Sequence, residues 1–283
     1  MLGFDGSGTS PVAPVVVVVP PGPPLVAPPG SPLVPLGIAS TYGAFGGTAG
    51  MTNQGLLTVI NGDIGTTAVS TAVTGFYNLK PTNCSYTVTG SNAGLVNGDI
   101  STSPPPPTGT CPTEGTLTTQ AAAAAAGADA LVAYNTLAGL PGGFDPGAGN
   151  LANLVLAPGV YKAAGGTFMI QGGNLTLDAR GDPNASWVFQ MAQSLTVGGP
   201  GAAFPQGVVL INGAQAKNVY WQVGSAATIN AGGGGTMQGT IISQAGVTFS
   251  TAGNVAISTL NGRALSLVAS VTMVNTVINV PAP

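Results

Sequence analysis

Leu175-Thr176-Leu177, Leu195-Thr196-Val197, Ala227-Thr228-Ile229, Val247-Thr248-Phe249 and Val271-Thr272-Met273 repeat one pattern, a threonine between two apolar residues. The threonines are 20, 32, 20 and 24 positions apart. Second apolar runs follow four of them: Trp187 to Met191, Val208 to Ile211, Thr240 to Ile242 and Ala264 to Leu267. The widest gap holds a further run, Val219 to Val223. A period near 20 with short strands and glycine-rich corners is the signature of a β-solenoid. Alternate side chains of a strand point to opposite faces. The flanking Leu, Val, Ile and Phe are therefore predicted to fill the core, and Thr176, Thr196, Thr228, Thr248 and Thr272 to stack as a column on one outer face.

Composition limits what such a face can meet. Charged residues make up 5% of the 283-residue chain, the net charge is −3, and there is no histidine. Nucleic-acid binding needs a basic footprint, so it is excluded as a reading. Glycine (45) and proline (24) are abundant, yet 44% of the chain is hydrophobic and patterned, enough to bury a core. So little charge is unusual for a free soluble monomer. Either the surface is nearly neutral and rich in Thr, Ser, Asn and Gly, or much of it is covered by other copies. No apolar run is long enough for a membrane-spanning helix. Met1 to Gly8 carries no positive n-region and Val15 to Val19 is too short for an h-region, so a secreted protein would be met here without its leader.

Residues 1–35 read as an extended arm, because proline fixes φ and biases its predecessor away from the helix. A stiff linker is one reading. Ala13 and Val15, Val16, Val17, Val18 and Val19 suggest another, since consecutive β-branched residues exposed to water are an aggregation hazard. They would be safe as a strand buried on both faces, added to the sheet of a neighbouring subunit.

From Leu36 the solenoid pattern begins, with Asn61-Gly62-Asp63-Ile64-Gly65 as a tight corner leading into a strand. Cys84 and Cys111 are the only cysteines and bracket a loop rich in Pro and Thr within residues 78–115. They are expected to form a disulfide, which argues for an oxidising compartment; two free buried thiols are the alternative. Residues 116–139 read as a helix, capped by Thr118 or Thr119 and propagated by Ala121 to Ala126. Its apolar stripe continues through Ala130, Leu131, Tyr134 and Leu137, and Gly139 can end it in the left-handed conformation. Gly127 inside it calls for close packing. A helix so rich in alanine is slim enough to lie along a flat sheet.

Several further motifs occur in one order: Leu156-Ala157-Pro158-Gly159-Val160-Tyr161, Asn174-Leu175-Thr176-Leu177-Asp178-Ala179, Trp187-Val188-Phe189-Gln190, Ile211-Asn212-Gly213-Ala214, Asn218-Val219-Tyr220-Trp221-Gln222-Val223, Gly239-Thr240-Ile241-Ile242 and Gly262-Arg263-Ala264-Leu265. With the Gly62-Asp63-Ile64-Gly65 corner and the alanine-rich helix, they make residues 36–283 resemble the bacterial and fungal ice-binding proteins of the DUF3494 type. The resemblance implies a discontinuous three-faced β-solenoid with a long helix alongside its axis. It also implies a secreted or cell-surface protein with no enzymatic activity and no cofactor, which in many members binds ice through one flat face. Two features depart from the pattern. Thr66-Thr67-Ala68 stands where the family often has Pro-Gly, and the arm before Leu36 is not shared.

Catalysis finds no foothold, because acid–base work needs paired titratable groups in one pocket. Asp178, Arg180 and Asp182 read instead as a hydrogen-bonded, ion-paired corner. With no histidine and two cysteines no transition-metal site is expected, and Asp178, Asp182 and Asn184 remain a calcium alternative. Asn212, Gln215 and Gln222 read as corner or ladder amides. The leading reading is a structural subunit joined head to tail into a fibre by its arm; the alternative is an ice-binding protein using the threonine face with the arm as tether, and adhesion to another surface such as a polysaccharide is a third.

Overall fold

A computed structural model describes residues 15–16, 33–80, 84–108, 111–199, 205–230, 234–250 and 256–282. Among the described residues every pairing between strands is parallel except that of Phe76–Asn78 with Ser85–Tyr86, and each coil adds one rung to the sheets that form its faces. The apolar–Thr–apolar triplets become strands with a buried, half-buried, buried pattern, as at Leu195–Val197 and Val271–Met273. Their buried positions line one continuous core. Within it Phe189 stacks on Trp221 at 4.1 Å and on Tyr161 at 5.4 Å between ring centroids. Those three residues occupy the same register in successive rungs, so the stack follows from the coil repeat.

The strands form three sheets. One has four strands: Val15–Val16, Leu154–Leu156, Leu175–Asp178 and Val208–Ile211. A second has seven: Phe168–Ile170, Leu195–Val197, Ala227–Asn230, Val247–Ser250, Val271–Met273, Met51–Asn53 and Val73–Thr74. The third has thirteen, because Thr236–Ser243 and Ser258–Ser266 run round a corner and join two faces. They turn at Gly239, whose φ is +101°, and at Gly262, where a Cβ would lie 1.8 Å from the Gly239 carbonyl oxygen. Only glycine lets the two backbones cross so closely.

The threading is discontinuous. Val271–Met273, near the C-terminus, pairs with Met51–Asn53 from the N-terminal part. The strands of residues 42–103 therefore build one end of the stack, and the chain must travel to the other before coiling back. The α-helix α1 (Leu117–Ala138) makes that journey. It leaves the strand Ile100–Ser103 and delivers the chain toward Gly159–Lys162, which are the two ends of an eight-strand run in the large sheet. Seven strand separations of about 4.8 Å come to roughly 34 Å. The 22 residues of α1, at about 1.5 Å each, come to roughly 33 Å. Helix length and solenoid length are matched.

α1 buries Ala123, Ala126, Ala130, Ala133 and Leu137 against Phe45, Val188, Tyr220, Ile242 and Leu265, with Val34 and Leu36 beside them. The buried stripe is thus alanine until Leu137 near its end, and Leu131 faces outward at 45% exposure, contrary to the sequence expectation. Over the alanine part of the stripe, small residues let the helix approach the sheet closely. At Gly127 a Cβ would already sit 3.1 Å from the Phe45 ring. The N-cap is Thr116, not Thr118 or Thr119: Thr119 supplies the other half of a capping box, accepting from the Thr116 backbone N–H at 2.9 Å. Gly139 is right-handed (φ −84°), also unlike the expectation. It need not be left-handed, because Gln190 of the large sheet donates to the carbonyls of Leu137 (2.7 Å) and Leu140 (3.0 Å), closing the helix end from outside.

Cys84 and Cys111 form the expected disulfide. Beneath it Glu114 accepts from Asn78, from the Tyr86 hydroxyl at 2.7 Å and from the Ile100 backbone N–H at 3.3 Å. Burial raises the Glu114 carboxyl above its ordinary value.

Candidate functional site

The seven-stranded sheet carries the threonine column. Its in-register central positions run Met169, Thr196, Thr228, Thr248, Thr272, Thr52 and Thr74. Six consecutive rungs, about 4.8 Å apart, therefore present the same side chain. Each pair of flanking residues is buried: Leu195 and Val197, Val247 and Phe249, Val271 and Met273 are all fully enclosed. Their packing fixes the backbone of each rung, and β-branched threonine has few rotamers to choose from. At one end Thr74 donates to Thr52, hydroxyl to hydroxyl, at 3.3 Å.

Next to this column lies a second one. The residues preceding each strand are Thr167, Ser194, Ala226, Gly246, Ser270, Gly50 and Ala72. Backbone hydrogen bonds tie them into the ladder, among them Leu195 N–H to Ala226 O at 3.2 Å and Ala227 N–H to Gly246 O at 3.0 Å. None is larger than threonine, and Thr167 and Ser194 share a 3.2 Å hydroxyl contact. The two columns together make an uncharged strip of small side chains, with Met169 at one end.

Four of the five sequence-predicted threonines, Thr196, Thr228, Thr248 and Thr272, are brought together here. Thr176 is not: it pairs with Val155 and Val209 in the four-stranded sheet, on a different face. Leu-Thr-Leu reports only an in–out–in strand, and strands on every face obey it. The step from Thr176 to Thr196 crosses a corner within one coil, whereas the later steps are whole coils. Thr52 and Thr74 escaped the pattern because Asn53 and Gly75 follow them where an apolar residue was required. They join the column only through the discontinuous threading.

The other faces differ in character. One lies under α1. The other mixes Val155, Thr176 and Val209 with an amide ladder in which Asn97 donates to Asn61 (2.7 Å), Asn61 to Asn279 (2.7 Å) and Asn279 to Asn261 (2.9 Å). These amides are engaged with one another along the stack.

The acidic corner is also occupied by its own loops. Asp178 accepts from the Asn212 amide and the Arg180 backbone N–H, both at 2.8 Å, which hold its carboxyl below the usual range. Asp182 accepts from the Asn184 backbone N–H at 2.8 Å. Arg180 thus meets Asp178 through its backbone, a correction to the ion pair expected from sequence. Gln215 donates to the Pro183 carbonyl at 2.8 Å, and Gln222 is buried in register with Gln190. Among the described residues the only cluster of three ligand-type groups is Cys84, Cys111 and Glu114, and the disulfide consumes both sulfurs.

Of the predicted assembly strand, Val15 and Val16 pair in parallel with Leu154 and Val155 of the same chain. Ala13, Val17, Val18 and Val19 lie outside the described residues. No helix among the described residues is long and apolar enough to cross a membrane.

Residues 45–279 match the ice-binding-like family. The chain belongs to that family. An ice-binding protein of Nostoc sp. (strain HG1) is 35% identical over 238 residues, covering 84% of this chain and 71% of the relative. One from Leucosporidium sp. (strain AY30) is 34% identical over 239 residues, covering 82% and 78%. Among solved structures, the glycosylated ice-binding protein LeIBP from an Arctic yeast superposes with a TM-score of 0.69 at 29% identity, over 88% of this chain and 95% of that one. An ice-binding protein from an Antarctic biological consortium gives 0.67 at 29% identity, over 93% and 95%. The discontinuous solenoid with one parallel helix is thus an ice-binding-like fold.

Proposed function

We propose that this ice-binding-like protein adsorbs to ice through the seven-stranded face. The observation that carries this reading is the in-register column Thr196, Thr228, Thr248, Thr272, Thr52 and Thr74 beside a column of Thr, Ser, Ala and Gly. Each threonine offers a methyl that repels water and a hydroxyl that holds it. Repeated at a fixed spacing on a rigid sheet, they order the first water layer into rows that can merge with the lattice of hexagonal ice. A flat surface matters because each ordered water costs little when its partners are already fixed. Charge would bind water in the wrong orientations, and neither column carries any. The family membership supports the reading, since the relatives named above are ice-binding proteins. The disulfide supports an extracellular site of action.

The competing reading, a fibre built by donated arms, has less support, because Val15 and Val16 are paired within their own chain. The direct test is growth of a single ice crystal in the purified protein with thermal hysteresis read at the same time. Faceted crystals with a hysteresis gap are expected. Round, unshaped discs at every concentration would remove the proposal.

A further inference from the structure

The coil of residues 154–170 forms one end of the solenoid and offers three strand edges. Two are covered by the segment that links α1 to that coil. Lys162 N–H donates to the Phe144 carbonyl at 3.0 Å. On the next face, Met169 N–H donates to Gly149 O at 2.7 Å and Leu151 N–H donates to Met169 O at 2.8 Å. These covers adjoin the coil in sequence and cannot leave without unfolding it. The third edge, Leu154–Leu156, is covered among the described residues only by Val15–Val16, which come from the N-terminal arm.

An uncovered parallel edge is a row of free backbone donors and acceptors, a template for another chain. Val155 is half-buried and apolar although it faces outward, beside the core-packed Leu154, and the whole chain carries a net charge of only −3. Copies of this protein therefore have little electrostatic repulsion to keep such edges apart. We infer that Val15–Val16 is a removable cap, which keeps the Leu154–Leu156 edge from pairing with the same edge of a second copy. The arm closes this edge by mass action. It is tethered at residue 33, where Val34 is anchored against Tyr220 and α1, so its effective concentration at the edge is on the order of millimolar. A second copy at micromolar concentration loses that competition while the arm can pair.

The test is the full-length chain carrying V15P and V16P, which removes the backbone N–H groups of both cap residues and leaves every residue of the solenoid unchanged. Hydrogen exchange at residues 154–156 reads the cap, and light scattering after size exclusion reads association. The expected result is a monomeric wild type, with exchange at these residues faster by about tenfold or more in the variant. The variant should also form concentration-dependent dimers. Unchanged exchange would show that the arm does not cover this edge. Faster exchange in a strictly monomeric variant would equally overturn the inference, because the uncovered edge would then need no guard. Neither result bears on ice adsorption, which uses a different face.

Discussion

Replacing Thr248 with tyrosine should abolish most of the ice activity and leave the fold intact. Thr248 is the middle rung of the seven, exposed, between two fully buried neighbours. A phenol ring there stands above the threonine methyls by more than one hydrogen-bond length, about 2.8 Å. Thr228 and Thr272 lie one strand spacing to either side, about 4.8 Å away, so the ring lifts an approaching water layer off all three rungs. At about 0.5–1.5 kcal/mol for each hydroxyl contact, the loss is roughly 1.5–4.5 kcal/mol. That corresponds to about tenfold to a thousandfold in adsorption. Stability should change by no more than about 0.5 kcal/mol, as for other surface substitutions. The matched control is T176Y, the same chemistry on the four-stranded sheet between Val155 and Val209, where no loss is expected. Thermal hysteresis at equal concentration, with melting followed by circular dichroism, separates the outcomes. A T248Y protein as active as wild type, or a T176Y protein that loses activity with its fold intact, would refute the assignment of the face.

Glu114 makes stability depend on pH. Burial raises its folded pKa above the ordinary 4.5, so the folded chain holds the proton more tightly than the unfolded one. Its contribution is full below the ordinary carboxylate range and is lost as pH rises through the raised folded value. E114Q should flatten that part of the stability-versus-pH curve, measured by urea melts from acid to neutral pH. Converting both Cys84 and Cys111 to alanine should cost about 3.5 kcal/mol from the loop-closure entropy of the 27-residue separation, visible as a lower urea midpoint. At Gly127, valine should destabilise by about 1–3 kcal/mol because its branches enter the Phe45 ring, whereas alanine should be within about 1 kcal/mol of wild type, since its helix propensity offsets a mild squeeze.

The sequence by itself determined the solenoid, the helix and the disulfide, because each is written in near neighbours. In–out–in triplets, six alanines in a row and a proline-rich loop between two cysteines are local signals that tertiary contacts did not override. Sequence pattern also found most of the threonine column, since whole-coil steps repeat locally from Thr196 to Thr272. What only the tertiary structure decided is membership of a face. Thr176 obeys the same triplet rule as Thr196 yet stands round a corner from it, while Thr52 and Thr74 break the rule and stand in line. A strand's alternation fixes which side chains point outward. Which outward directions coincide depends on how each rung registers against the next, and here the next rung is drawn from the opposite end of the chain. The same holds for α1, whose inward stripe is four alanines and Leu137 rather than the run through Leu131, because the sheet it meets brings the Phe45 ring close against the helix at Gly127.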